Sequence, residues 1–178
     1  KYFEEVLVTA ERRSSDILET PMTITAFSSE MLVELGLQDR DKLQNLVPGL
    51  QFGDAMDQKG NGVTLRGIGT REAGMNHMDR AVAQYINGAY TIGTYGTMPG
   101  GGFDLQTIEI ARGPQGTLNG RNSMAGAINF VYKKPSQEWD ADLQLELLDV
   151  PGGTQERANV AFGGPIDENL SFRVTAGT

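Results

Sequence analysis

Few residues of this chain have side chains suited to catalysis or metal binding. Its 178 residues include no cysteine and a single histidine, His77. These counts exclude a disulfide framework, a thiolate metal site and a cysteine nucleophile. They also exclude a pair of metal-binding histidines on a helix. A serine hydrolase would have to use His77 as its base, and no nucleophile elbow accompanies it. The sequence therefore predicts neither a metal site nor a bound cofactor.

Two glycine-rich stretches approach nucleotide-binding motifs without completing them. Gly67-Ile68-Gly69 begins a dinucleotide fingerprint, but the third glycine position is Glu72 and we predict no long helix after it. Residues 113–120 lack the Gly-Lys-Ser/Thr ending of a phosphate loop. We therefore expect that the chain is not an enzyme.

The surroundings of His77 leave two interpretations open. The stretch REAGMNHMDR has few apolar residues and predicts a loop. A lone histidine in a loop is usually solvated, whereas loops held by a rigid scaffold often bind ligands. The residues alone do not choose between these two roles.

Charge and hydropathy narrow the set of partners. The net charge of −8 argues against nucleic acid, which is bound through a basic surface. No apolar run approaches the roughly 18 residues that a transmembrane helix needs. No signal peptide opens the chain, so its numbering can begin at a mature N-terminus. Strands of a membrane β-barrel leave little trace in hydropathy, and that route across a membrane stays open.

Short apolar runs between turn residues predict strands and two helices in residues 21–135. The alternation in residues 21–27 predicts a strand, after which Ser28 or Ser29 can cap a short helix that Gly36 ends. Asp39 can cap a second helix that ends at Pro48-Gly49. We expect three residues of that helix to share its apolar face: Leu43, Leu46 and Val47. Further strands are predicted at 63–68, 82–86 with the turn signal Asn87-Gly88 after it, 107–111 and 127–133.

The pattern changes after Pro135 to strict alternation of apolar and polar residues. Three such segments follow, separated by Pro151-Gly152-Gly153 and by Gly163-Gly164-Pro165. A barrel wall with lipid on one side and water on the other has this pattern, and so does an antiparallel meander over a soluble core. Three strands leave two unpaired edges, which cannot lie in lipid, so the barrel interpretation requires more strands than this chain contains.

Six segments, in order, resemble the plug of TonB-dependent outer-membrane receptors. They are EEVLVTAERR, PMTITAFSSEML, LQNLVPGLQF, VTLRGIG, VAQYINGAY and FDLQTIEIARGPQGTLNGRNSMAGAINFVYKKP. The last is the most specific. FGGPIDENLSFRVTAG resembles the first periplasmic turn of the family with its flanking strands. The resemblance covers nearly the whole chain.

The resemblance implies the fold and the domain organisation. The expected fold is an α+β plug domain with a small mixed sheet, followed by the opening antiparallel strands of a transmembrane β-barrel of about 22 strands. Residues 1–20 are expected to be the TonB box and a linker, 21–135 the plug domain, and 136–178 about three barrel strands.

The resemblance also implies residues for energy coupling and for seating the plug. The TonB box corresponds to Glu5, Val6, Leu7, Val8, Thr9 and Ala10. An extended segment of this kind can add a strand to a partner sheet, although it can equally be a structural first strand of the plug. Arg66 and Arg112 each precede a glycine, and plug arginines of this kind pair with barrel glutamates in the family. The alternative is that both are solvated arginines at strand ends.

The expected function is TonB-dependent import of a scarce organic or chelated nutrient across the bacterial outer membrane, such as a siderophore, a cobalamin-like cofactor or a glycan. A ligand-sensing receptor of the same family without a major transport role is the alternative. Expected partners are TonB, the ligand and outer-membrane lipid, and a surface lipoprotein over the barrel is left open. The candidate substrate contacts lie in or beside two outward loops: His77, Met78, Arg80, Tyr90 and Tyr95.

Overall fold

The computed structural model describes residues 7–8, 15–16, 23–36, 40–53, 62–69, 80–91, 102–114, 122–150 and 153–177. The chain divides into two compact units, here called the first unit (Lys1–Tyr132) and the second unit (Lys133–Thr178). Within the described residues, no helix is both long and apolar enough to cross a membrane.

The described part of the first unit begins with three strands, β1 (Leu7–Val8), β2 (Ser15–Asp16) and β3 (Ile24–Ser28), and a short helix follows β3. This helix, α1 (Ser29–Glu34), has Ser28 as its N-cap, and the Ser28 side chain accepts a hydrogen bond from Met31 N at 3.5 Å. Gly36, at φ 61°, follows its C-terminus. Both the predicted cap and the predicted stop are confirmed.

The second helix, α2 (Arg40–Leu46), packs with one narrow face inward. Leu43 and Val47 are fully buried, whereas Leu46 is 48% exposed. The spacing of three and four residues places all three on one side of the helix, as predicted, and Leu46 lies at the margin of that face. Asp39, the predicted cap, lies outside the described residues.

The core of the first unit is a five-stranded mixed sheet in the order β3-β9-β10-β7-β8. β10 pairs parallel with β7, and every other pairing is antiparallel. The strands besides β3 are β7 (Val82–Ile86), β8 (Ala89–Tyr90), β9 (Leu105–Arg112) and β10 (Gly126–Tyr132). The predicted turn Asn87-Gly88 joins β7 to β8 with φ of 49° and 78°, which suits a tight hairpin.

One face of this sheet carries the apolar core. Ile108, Ile110, Ile128 and Phe130 alternate inward along β9 and β10 and cluster with Leu32, Leu43 and Val47 of the helical segments. The two helices therefore cover one face of the sheet, and their few turns are stabilised chiefly by this burial.

A small second sheet follows α2, and its hairpin differs from the predicted strand 63–68. β4 (Leu50–Phe52), β5 (Val63–Leu65) and β6 (Ile68–Gly69) pair antiparallel in that order. Arg66 and Gly67, at φ 54° and 76°, form a two-residue turn that ends β5. The apolar run concealed this turn because the strands on either side of it are only two or three residues long.

The second unit is an antiparallel three-stranded sheet of β11 (Asp140–Val150), β12 (Gly153–Asp167) and β13 (Leu170–Gly177). The predicted separation of two segments at Gly163-Gly164-Pro165 was wrong: these residues continue β12, and the turn lies at Glu168-Asn169. The glycines serve close packing within the strand instead, as described below.

Two neighbouring residues of α1 provide a test of the core. Leu32 is 2% exposed and Val33 is 70% exposed. We expect Leu32→Ala to lower the free energy of unfolding of the first unit by about 2–5 kcal/mol, because it leaves a cavity. We expect Val33→Ala to change it by about 0.5 kcal/mol or less. Hydrogen exchange of the β9 and β10 amides measures both values, and equal losses for the two variants would contradict this assignment of the core.

Candidate functional site: two arginines, a clamped turn and a two-faced sheet

Arg66 occupies the hairpin turn of the small sheet and not a strand face. Its backbone N–H donates to Gly49 O at 2.8 Å, and its side chain is exposed. A Cβ at Gly49, where φ is 80°, would lie 3.2 Å from Arg66 N. Gly49 therefore has two reasons to be glycine, its positive φ and the close approach of the turn. The result is a guanidinium presented on a short and well-supported turn.

Arg112 is the last residue of β9. Its N–H donates to Thr23 O at 3.0 Å, and its buried Nε has no hydrogen-bond partner among the described residues. Arg112 pairs across the sheet with Gly126, where a Cβ would lie 2.7 Å from Leu65 Cδ1 and would also meet Ala111 O. The residues directly before Arg66 and Arg112 are thus brought together at Gly126.

A row of polar groups fixes the turn Asn87-Gly88 to the sheet. Asn87 N donates to Phe130 O at 2.9 Å, and Asn87 Oδ1 accepts from Tyr132 N at 2.8 Å. Gly88 N donates to Asn129 Oδ1 at 3.1 Å, and Asn129 Nδ2 donates to the buried Glu109 Oε2 at 3.1 Å. This row links the hairpin to the centre of the sheet.

Tyr132 lies at the end of this row, and its side chain is partly buried. Burial, and to a lesser degree the negative charge of Asp104, raises the pKa of the Tyr132 phenol above its ordinary value.

Tyr90, a predicted substrate contact, lies in strand β8 and not in a loop. Its hydroxyl accepts a hydrogen bond from Asn122 Nδ2 at 2.7 Å, and its ring meets Tyr85 edge-on at 5.8 Å between centroids. Arg80, two residues before the start of β7, is partly buried and has contacts within the protein. His77, Met78 and Tyr95 lie outside the described residues.

The predicted TonB-binding segment is described only at Leu7–Val8. These two residues form β1, which pairs antiparallel with β2 (Ser15–Asp16). Glu5, Val6, Thr9 and Ala10 lie outside the described residues. The described pair is extended, which is the backbone conformation that strand addition to a partner requires.

The β11–β13 sheet has one polar face held by ion pairs. Arg173 donates from Nη1 to Asp140 Oδ2 at 2.7 Å and from Nη2 to Asp142 Oδ2 at 2.8 Å. Arg157 pairs with Glu146 at 3.1 Å, and Asn159 Nδ2 donates to Gln144 Oε1 at 3.2 Å. Each carboxylate of β11 on this face therefore has a cationic partner within the same sheet.

The opposite face of the same sheet is apolar and exposed. Its large side chains are Leu143, Leu145, Leu147, Val160, Phe162, Ile166, Leu170 and Val174. Trp139 stacks on Phe162 at 5.4 Å and meets Phe172 edge-on at 6.0 Å, which forms an aromatic cluster at the end of the sheet near the Glu168-Asn169 turn. A run of this size on an exposed surface indicates contact with an apolar phase or a partner.

Metal binding finds no support within the described ranges, where no group of three or more His, Cys, Asp or Glu side chains converges. Fold and site together define a small α+β domain with an exposed arginine, Arg66, and a half-buried one, Arg112, continuous in the chain with an amphipathic antiparallel sheet.

Comparisons with known proteins identify this class. A family model described as the TonB-dependent receptor plug domain matches residues 16–127. The pesticin receptor of Yersinia pestis is 30% identical over 172 residues, which cover 94% of this chain and 24% of that protein. An iron-regulated outer membrane virulence protein of Vibrio cholerae is 28% identical over 185 residues, which cover 96% of this chain and 27% of that protein.

A solved structure supports the same assignment. The ferric yersiniabactin uptake receptor FyuA from Yersinia pestis superposes with a TM-score of 0.70 at 25% identity, over 88% of this chain and 24% of that one. The chain thus spans about a quarter of the length of the curated relatives it matches.

Because the family model covers more than half of the chain, the chain belongs to the family of TonB-dependent receptor plug domains. The predicted plug with a mixed sheet, followed by antiparallel strands, is confirmed, as is the outer-membrane location. The family is one of receptors, which agrees with the incomplete nucleotide-binding motifs found in the sequence.

Several residues of the site escaped the sequence analysis. Asn129 and Glu109 are joined by a cross-strand hydrogen bond, which needs the register of the sheet, and Asn122 donates from a turn to Tyr90, 32 residues before it. The two aspartates bound by Arg173 lie 31 and 33 residues before it. Alternation alone could have placed Arg173 and the two aspartates on one face of the sheet, but it could not have shown that they are in contact.

The clamp on the Asn87-Gly88 turn can be tested by Asn129→Ala. This change removes two hydrogen bonds, one of them to the buried Glu109, and we expect it to destabilise the first unit by about 1–3 kcal/mol. Hydrogen exchange should show the largest loss of protection at Gly88 and in β9. Tyr90→Phe, which removes only the partly exposed bond from Asn122, should cost less. A larger effect of Tyr90→Phe would contradict the clamp.

Proposed function

We propose that this chain is the plug and the opening wall of an outer-membrane transporter that imports a chelated organic nutrient with energy supplied by TonB. The observation that carries the proposal is the covalent continuity of a plug-family domain with a sheet that has one apolar and one polar face. A plug attached to such a sheet has a use only where lipid lies on one side and an aqueous lumen on the other.

The exposed rows of the second unit support a β-barrel wall. Outward residues run from Trp139, directly before β11, through Leu147, which spans about 26 Å at roughly 3.3 Å per residue. That length suits an apolar band about 25 Å tall when strands tilt. Glu156 marks the polar end of the apolar face, and Trp139 marks the other end, where amphipathic rings favour the interface. Outer-membrane lipid is the proposed partner of this face.

A ferric siderophore is the proposed class of nutrient. The relatives that support it are named for pesticin reception, iron regulation and ferric yersiniabactin uptake. The proposed contacts, in or beside the outward loops, are His77, Met78, Arg80, Tyr90 and Tyr95. For Tyr90 the contact would involve the ring face, because its hydroxyl is already bonded to Asn122.

The two arginines are proposed to seat the plug in the barrel through carboxylates of the wall. Asp140, Asp142 and Glu146 are unsuited to this role, since each is paired with a cation of the second unit. The carboxylates that receive Arg66 and Arg112 would therefore lie on other strands of the barrel. A guanidinium in a wet interface can hold such a partner and still release it when the plug moves.

Energy coupling is proposed to use Glu5, Val6, Leu7, Val8, Thr9 and Ala10. β1 already has β2 as a neighbour on one side, so a TonB strand would add to the other edge of β1 or displace β2. In either case the main chain provides the bonds, and the pull is passed along the backbone toward β3.

The transport proposal is tested by deleting the six residues from Glu5 to Ala10 in the full-length receptor. We expect energised uptake of iron-loaded yersiniabactin or a ferric catecholate to be lost while binding to cells is retained, because only the coupling segment is removed. Replacing Arg12 and Arg13 with alanine, in the adjacent linker, should leave uptake intact. Uptake that survives the deletion would overturn the coupling assignment. Retained binding with no uptake in the unaltered receptor would favour a sensing receptor.

The seating role of the arginines is tested by the double variant Arg66→Ala, Arg112→Ala. We expect leakage of small solutes through the receptor to rise about tenfold, since the two lost pairs together contribute on the order of 1.4 kcal/mol. Lys42→Ala removes an exposed cation of α2 and is the matched control. Permeability of the double variant equal to that of the control would contradict a seating role.

A further inference from the structure

The connector, defined as residues 133–139 between β10 and β11, is bound at its first residue to the polar face of the β11–β13 sheet. Lys133 Nζ donates to Asp142 Oδ2 at 2.8 Å. The same oxygen accepts from Arg173 Nη2, whose guanidinium also holds Asp140. The Arg173 side chain is only 6% exposed, so the group that positions Asp142 is itself fixed. Lys133 is therefore bound to a pre-arranged carboxylate.

The last residue of the connector is bound to the other face of the same sheet. Trp139 lies over Gly164, where any Cβ would overlap its ring, and stacks on Phe162. Phe172 closes the cluster from the neighbouring strand β13, at 5.8 Å from Phe162 between ring centroids. Between the two ends, Ser136 Oγ donates to Glu138 O at 2.9 Å and accepts from Glu138 N at 3.3 Å, which closes a turn.

The pair Gly163-Gly164 leaves room for Arg173 on one face of the sheet and for Trp139 on the other. Neighbouring residues of a strand point to opposite faces, so the missing side chains leave room on each face. On the polar face, Arg173 crosses Gly163 to reach Asp140, and a Cβ at Gly163 would lie 2.6 Å from Phe172 O and 3.3 Å from Arg173 Cβ. On the apolar face, the indole of Trp139 fills the space above Gly164.

From these contacts we propose that the connector is an anchor that stays with the β11–β13 sheet when the plug moves. It is clamped to both faces of that sheet, so the part of the chain that moves with the plug ends at Lys133. The anchoring role of the connector rests on the proposed transport function, in which the plug moves. The clamp itself rests only on contacts within the second unit. A clamped connector would let the first unit move or partly unfold while β11 keeps its place in the barrel.

Hydrogen exchange on the full-length receptor in lipid nanodiscs tests the clamp without any transport. We expect Lys133→Met to raise exchange of the connector amides about threefold to fivefold, as the loss of one partly exposed ion pair allows. Gly164→Val, which displaces Trp139, should raise it at least tenfold. Trp139→Ala should reproduce that effect without crowding the strand.

Two controls change the same sheet without touching the connector. Glu146→Gln breaks the Arg157 pair on the polar face, and Leu143→Ala shortens an apolar side chain of β11. Both should leave connector exchange within about twofold of the unaltered receptor. Exchange that rises equally in the controls, or that stays unchanged in Lys133→Met and Trp139→Ala, would overturn the clamp.

The anchoring role is tested by adding urea at concentrations that open the first unit alone. We expect the amides of Ile24–Ser28 to lose protection while those of the connector keep theirs. Simultaneous loss in both segments would overturn the proposal that displacement ends at Lys133. These results are independent of uptake, so a failure of the deletion experiment on residues 5–10 leaves them valid.

Discussion

The period of two along a β-strand is the constraint on which both units depend. In the first unit it places Ile108, Ile110, Ile128 and Phe130 on one face under the helices. In the second unit it separates leucines from carboxylates along a single strand. The same backbone geometry thus makes a compact core in one unit and a two-faced sheet in the other. The difference lies in what covers the apolar row.

Hydrogen bonds and ion pairs to buried polar side chains set the register of the strands in both units. In the first unit the buried Glu109 is bonded by Asn129, which also holds the turn at Gly88. In the second unit Arg173 is almost fully buried and lies between two aspartates. A buried charge without such partners would be costly, so each of these groups fixes the register of the strands around it.

The two-faced sheet and the pairing of its charges both bear on the proposed transport cycle. The carboxylates of β11 are paired within their own sheet and are unsuited to the proposed seating of the plug, for which Arg66 and Arg112 would need partners elsewhere. In this proposal, some ion pairs stabilise the sheet and its connector, while others form and break as the plug moves. Pairs of the second kind belong in a wet interface, where the cost of separating them is small.

The sequence by itself determined those features whose cause is local. Ser28 caps α1, and Asn87-Gly88 turns between β7 and β8, because a cap or a tight turn needs only its own few residues. Strict alternation likewise predicted the two faces of β11. The family resemblance of six ordered segments identified the fold as a whole.

Only the tertiary structure decided the features that depend on distant partners. The sequence pattern breaks at Gly163-Gly164, yet these two residues continue β12. Arg173 and Trp139 occupy the space that their missing side chains leave. Leu46 lies by period on the same face of α2 as Leu43 and Val47, yet it is 48% exposed where they are buried. Register and burial are set by residues far away in the chain, and a local pattern carries no information about which of them will be opposite.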